Sequence, residues 1–208
     1  MKKIFTLLTA LIMVCGLSFT AHAALIDRGG GLIYDDDLNI TWLQDAGFRG
    51  LDTWIGAMDW ADTLVYGGFD DWRLPTALNQ NGSGPCVDFD CTGSEMGHLY
   101  YTEIENTVAG GLTNNGPFTN LQPYLYWFGT AEFVPYPVAW FFDFGHFGNG
   151  LQSAWEAREV SGYAWAVRDG DSLARNGNAT VPKPATILLL GSGLVGLITC
   201  RKITRRRG

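Results

Sequence analysis

The stretch "AWFFDFGHF", Ala139 to Phe147, places Trp140, Phe142 and Phe144 on one face and Phe141 and Asp143 on the other, a period of two. Such alternation predicts a strand. "YLYWFGTAE" (Tyr124 to Glu132) and "GYAWAVRDG" (Gly162 to Gly170) read the same way, the latter putting Tyr163, Trp165 and Val167 together. Upstream, "GLIYDDDLNITWL" (Gly31 to Leu43) reads as two short strands around an acidic turn. Helical spacing of Ile55, Met58, Ala61, Leu64 and Val65 predicts a helix over 53–66, with Asp52 capping its first turn and Gly67 past its end. "FDDWRLPTALNQNGSGPC" (Phe69 to Cys86) is loop-like, broken by Pro75 and Gly82. A second helix is predicted from a Ser94 cap through "EMGHLYYTEIEN", where Gly97 costs up to about 1 kcal/mol. Strands, two helices, loops and then antiparallel strands make an α+β domain.

The two ends read differently. "MKKIFTLLTALIMVCGLSFTAHAA" has two lysines, an apolar core from Ile4 to about Phe19, and an A-x-A exit, which predicts a secretory signal peptide over 1–23 cut between Ala23 and Ala24. The alternative is an uncleaved anchor. Near the other end, "GSGLVG" (Gly191 to Gly196) matches G-x-G-x-x-G, but no Asp or Glu follows Asp171 to hold a ribose. Those glycines lie in an apolar run, Ala185 to Cys200, that closes on Arg201, Lys202, Arg205, Arg206 and Arg207. The run is just short of the roughly 17–25 residues a spanning helix needs, and snorkelling basic stems extend it. The basic cluster is predicted to stay on the cytoplasmic side.

Between these ends the chain holds all 21 acidic residues and only six basic ones, Arg28, Arg49, Arg73, Arg158, Arg168 and Arg175. A field of that sign repels nucleic acid, so a nucleic-acid partner is excluded. Cys86 and Cys91, in "GPCVDFDCTG", are the cysteines left once the ends are set aside, and in an exported protein their spacing predicts a local disulfide.

Two resemblances follow from these segments. Val181, Pro182 and Pro184 in "VPKPAT", the short apolar helix and the Arg cluster resemble a PEP-CTERM sorting signal, with Lys183 where that motif usually has Glu. The resemblance implies an exosortase-type processing enzyme as partner, the inner membrane before processing, and then the cell surface or exopolysaccharide matrix. "GLIYDDDLNITWLQDA", "MDWADTL", "GGFDDWRLPT", "SEMGHLYY", "GPFTNLQ", "YWFGTAE" and "YAWAVRDGD", in that order, resemble the Lcl C-terminal-type bacterial domain of unknown function. "DWRLPT" is also similar to a phrase of formylglycine-generating enzymes. Together they imply a C-type-lectin-like fold, a twisted antiparallel sheet with two flanking helices and the chain ends pairing. The expected division is 1–23 signal peptide, 24–171 lectin-like domain, 172–181 linker and 182–208 sorting signal.

Catalytic chemistry finds little support in these residues. No cysteine follows Cys91 inside the domain, so formylglycine-generating activity does not carry over. His98 and His146 are its histidines, and "HLYYTE" lacks the second His of H-E-x-x-H. Glu95 and His98 form one Glu-x-x-His copy where di-iron bundles need two, which leaves a polar helix face. Asp35, Asp37 and Asn39 imitate an EF-hand start, but Ile40 and Ala46 replace the required Gly and Glu. A non-EF structural calcium site there, or at Asp88 and Asp90, competes with a plain solvated turn. "LQPYLYW" has Tyr124 where a calcium-dependent sugar motif needs Asp. Trp127, Tyr136 and Trp140 are candidates for stacking on a glycan, with core packing as the alternative. The expectation is a non-enzymatic exported surface protein, without cofactor apart from that calcium, binding polysaccharide or another surface ligand. The competing expectation is a structural matrix or envelope protein with no dedicated pocket.

Overall fold

The computed structural model describes residues 25–133, 137–156 and 160–172. The expected signal peptide, Ala23 and Ala24, Tyr136, Val181, Pro182 and Pro184, the sorting signal and the two apolar runs at the ends lie outside the described residues. Among the described residues no helix is long and apolar enough to cross a membrane.

Short elements follow one another along the chain. Strands Leu25–Gly29 (β1), Leu32–Asp35 (β2), Ile40–Leu43 (β3) and Leu51–Asp52 (β4) precede helix Trp54–Thr63 (α1). Helix Glu95–His98 (α2) runs directly into a π-helical turn over Leu99–Glu103. Strands Leu125–Phe133 (β5), Pro137–Asp143 (β6), Leu151–Glu156 (β7), Gly162–Tyr163 (β8) and Val167–Asp169 (β9) complete the order. Two sheets result, β1-β2-β3-β9 and β4-β8-β5-β6-β7, antiparallel except where β5 meets β8. The protein is a mixed α+β fold with mostly antiparallel sheets and two short helices.

The acidic turn sits between β2 and β3 as predicted, with Asp35 opposite Ile40. β3 then pairs with β9, Trp42 opposite Val167, so segments more than a hundred residues apart share one sheet. Arg28 closes the same junction on Asp171 at 2.6 Å.

β6 divides its side chains as its period requires, yet both faces are covered. Trp140 and Phe142, with Phe144 just beyond, join the main core around Trp42, Trp165, Phe118, Tyr100 and Tyr126. Ala139 and Phe141 join a second core with Trp54, Ala57, Ala61 and Trp127 beneath α1. A sheet buried on both sides explains the near-continuous apolar run in an antiparallel strand. Three indole N–H groups entering these cores find acceptors, Trp54 donating to the Phe128 carbonyl at 2.8 Å, Trp127 to the Asp52 carbonyl at 3.0 Å and Trp165 to the Leu43 carbonyl at 2.7 Å, whereas that of Trp140 is buried without one.

Three predictions of local structure need correcting. α1 is capped by Thr53, whose hydroxyl accepts the Gly56 N–H at 3.2 Å, and not by Asp52, which pairs with Arg49 at 2.6 Å. The helix stops at Thr63 because Leu64 is extended, and its buried face is Trp54, Ala57 and Ala61, while Ile55 and Val65 are exposed. Spacings of three and four from Trp54 satisfy helical periodicity equally well, and the second core selects that face. Gly162 to Gly170 is not one strand: Ala164 to Ala166 cross between the sheets, so Tyr163 in β8 and Val167 in β9 belong to different sheets. Finally, α2 starts on Ser94 as predicted, but its last turn widens to a π-helix, in which Ile104 N donates to Leu99 O at 3.0 Å.

Candidate functional site

Beyond β6, Asp143 is fully buried and its carboxylate accepts four backbone N–H groups, from Gly145 (2.8 Å), His146 (2.6 Å), Phe147 (2.5 Å) and Gly148 (3.1 Å). One anion therefore fixes the whole turn. A carboxylate holding several amide donors is a strong, charge-assisted arrangement. The turn pushes His146 and Phe147 outward, where Phe147 is 55% exposed.

Rings on neighbouring elements continue from it. Tyr124 lies 4.3 Å from His146 by ring centroid, His146 lies 4.2 Å from Phe147, and Phe147 lies 5.6 Å from Trp155 of β7. Trp155, on the outward phase of its strand, is 43% exposed. Phe89, also exposed, approaches from the cysteine loop, close enough that a Cβ at Gly148 would stand 3.1 Å from its ring. Clustered apolar exposure of this kind marks an interaction surface more often than scattered residues do.

The rings expected to do this work lie elsewhere. Trp127 and Trp140 are core residues, 0% and 5% exposed, so neither offers a face to a sugar; Tyr136 falls outside the described residues. Phe147 and Trp155 carry no motif, and the alternation of β7 groups Trp155 with Leu151 opposite polar Gln152, so no local signal marks it as exposed.

A second region is built around the cysteine loop. Cys86 and Cys91 stand at disulfide distance, with Cα atoms 5.7 Å apart. Gln152, buried in β7, holds this loop from beneath: its backbone exchanges two hydrogen bonds with Asp88 (2.9 and 3.0 Å), and its amide donates to Cys86 O (2.8 Å) and Ala77 O (3.2 Å). Ser94 Oγ donates to the Gln152 side-chain oxygen at 2.5 Å and itself accepts the Gly97 N–H, so the helix cap belongs to the same network. Gly97 is explained here as well, because a Cβ at that position would collide with the Cys91 carbonyl. Clefts of about 450 and about 470 Å³ open on this loop and share Asn79, Gln80 and Gly93. A more apolar cleft of about 330 Å³ lies between α1 and the "DWRLPT" segment, lined by Met58, Trp72 and Leu74.

"DWRLPT" itself is a staple. Asp71 pairs with Arg168 (2.8 Å), Trp72 is buried, and Arg73 reaches both Glu95 (2.7 Å) and Asp169 (2.6 Å). Glu95 is thereby committed to Arg73 and to the Thr76 N–H at 2.8 Å. The motif ties α2 to the first sheet, with Arg73 and Glu95 held in ion pairs where they line clefts.

His98 corrects the expectation of an open polar helix face. It is buried, and its Nε2 lies 3.2 Å from Glu103 and 3.6 Å from Asp37. Asp35, His98 and Glu103 bring one ligand atom each within 4.8 Å of one another, a set able to hold a cation. Burial pushes the Asp35 carboxyl above the usual carboxylate range, opposed by hydrogen bonds from Leu38 N (3.0 Å) and the Trp42 indole (3.3 Å). Burial raises Glu103 as well, reinforced by Asp35. The turn does not gather Asp35, Asp37 and Asn39 as a calcium loop would. Asp35 points into the core, while Asn39, exposed and at φ 52°, accepts the Tyr34 hydroxyl at 2.9 Å. Asp88 and Asp90 are exposed, at positive φ, and Asp88 accepts the Phe89 N–H at 2.9 Å.

Comparison with models of known protein families, with curated proteins and with solved structures gives no match.

Proposed function

We propose that this is an exported, non-enzymatic cell-surface or extracellular-matrix protein whose C-type-lectin-like domain, of the Lcl C-terminal type, binds a polysaccharide along an aromatic strip. The observation that carries the reading is the ring series Tyr124, His146, Phe147 and Trp155, in which half-buried Tyr124 and exposed Trp155 flank the His146 and Phe147 rings on a turn pinned by Asp143. Rigid aromatic faces offer contact area at little conformational cost, and sugar rings present apolar C–H faces to stack on them. The acidic excess of the segment between the two ends favours neutral over anionic glycans. In this reading the VPKP segment, the apolar run and the Arg cluster hold the chain in the inner membrane until an exosortase-type enzyme cuts it.

Binding of full-length protein to an array of neutral and acidic polysaccharides tests the proposal. Neutral glycans are retained, and Trp155→Ala or Phe147→Ala weakens retention by about tenfold, equivalent to about 1.4 kcal/mol. Retention unchanged in both variants sinks the strip as the site.

The competing reading, a structural envelope or biofilm-matrix protein, draws support from one observation: the residues lining the three clefts include none of the rings of the strip. Under that reading no glycan is retained, and the strip mediates association between copies. Concentration-dependent sedimentation that Trp155→Ala abolishes identifies this case.

A further inference from the structure

We propose that Asp35, His98 and Glu103 form a binding site for a divalent transition-metal ion of the zinc or manganese class, with Asp37 closing the site from the cleft. This goes beyond the glycan reading and does not depend on it.

The π-helical turn is the first reason. In an α-helix, residues five apart stand roughly 140° round the axis from one another. The wider turn over Leu99–Glu103 brings Glu103 back beneath His98, with Glu103 Oε1 3.2 Å from Nε2. Single π-turns within helices gather at functional sites because they re-aim side chains at some loss of regular bonding. Asp35 enters from the end of β2 and Asp37 from the turn that follows it, so two backbone segments far apart in sequence meet at His98.

Geometry is the second reason. A tetrahedral ion with bonds near 2.0–2.1 Å places its ligand atoms roughly 3.3 Å apart. The distances from His98 Nε2 to Glu103 and Asp37, 3.2 and 3.6 Å, bracket that edge. The other ring nitrogen, Nδ1, meets the Gln80 amide at 3.4 Å, an outer contact that holds the ring's orientation as second partners of metal-bound histidines do. Asp37, Gln80 and Glu95 line the cleft of about 470 Å³, which supplies an entry path from solvent.

Charge is the third. Three carboxylates surround one imidazole, and the side chain of Glu103 is only 2% exposed. A proton on Nε2 satisfies one of them, whereas a divalent cation balances two. Imidazole nitrogen with carboxylate oxygen selects zinc or manganese, while calcium asks for six to eight oxygens.

Full-length protein without a histidine tag, stripped with chelator, is titrated calorimetrically with Zn²⁺, Mn²⁺ and Ca²⁺. One equivalent of Zn²⁺ or Mn²⁺ binds with micromolar or tighter affinity, and Glu103→Gln weakens it by at least about tenfold. Asp37→Asn, at an exposed position that the fold tolerates, weakens it measurably, and Glu105→Gln leaves it unchanged. Failure of both metals to bind up to millimolar concentration overturns the proposal, as does tighter binding of Ca²⁺, or affinity that neither Glu103→Gln nor Asp37→Asn alters.

Discussion

Two irregular segments face each other across β7, and they are fixed in opposite ways. The turn after β6 is short and rests on one buried anion, Asp143, whose two oxygens take four amide hydrogens. The cysteine loop is long and rests on a crosslink plus a neutral amide, Gln152, which bonds to Cys86, Ala77 and Ser94. A carboxylate can saturate only donors, so it organises consecutive N–H groups and leaves side chains free to point outward. An amide donates and accepts, so it stitches different segments together and builds clefts between them. The first solution yields an exposed ring strip, and the second yields polar hollows.

Removing the anion is expected to have the largest effect. Asp143→Ala leaves four amides without their acceptor and lowers unfolding free energy by about 3 kcal/mol or more in urea titration. Asp143→Asn keeps one acceptor oxygen and loses distinctly less. Equal losses for the two variants would show that charge, rather than the shape that asparagine retains, holds the turn. Gln152→Ala comes next, at about 2–3 kcal/mol, because it unpairs Cys86 O, Ala77 O and Ser94 Oγ together. Its urea midpoint is measured beside that of Gln152→Glu, which keeps the acceptor for Ser94 and loses the two donors.

The crosslink contributes less than either network. Chain entropy for so short a closed loop gives about 2 kcal/mol, so the Cys86→Ser, Cys91→Ser double variant melts lower without losing the fold. Two alkylatable thiols in freshly exported protein would remove the crosslink from this comparison. The smallest effect is alkaline. Burial pushes the Tyr100 hydroxyl up to about 12 and raises Tyr126 too, so the folded chain holds protons that the unfolded chain has released. The associated stability is present below pH 10, the ordinary tyrosine value, and is lost as pH rises toward about 12. Absorbance titration at alkaline pH checks this by the delayed ionisation of those rings, which Tyr100→Phe shortens by one.

The legible parts were those decided by neighbours in the chain. β6 announced itself by alternation, the β2–β3 hairpin by its acidic turn, and α2 by Ser94, since period and capping depend on a few adjacent residues. A helix over Trp54–Thr63 was legible too, although its face was not, because two sets of apolar residues satisfy the same period and only the second core chooses between them. The candidate sites were hidden for a related reason. Trp127, Trp140, Phe147 and Trp155 are alike as residue types, and burial under α1 and the main core separates the first two from the last two. His98 read as part of a polar helix face while its helix was read as regular, and a π-turn together with the end of β2 brings Glu103, Asp35 and Asp37 to it. Periodicity says which residues share a face. What covers that face, and which distant carboxylates meet there, is fixed by long-range packing that no local pattern encodes.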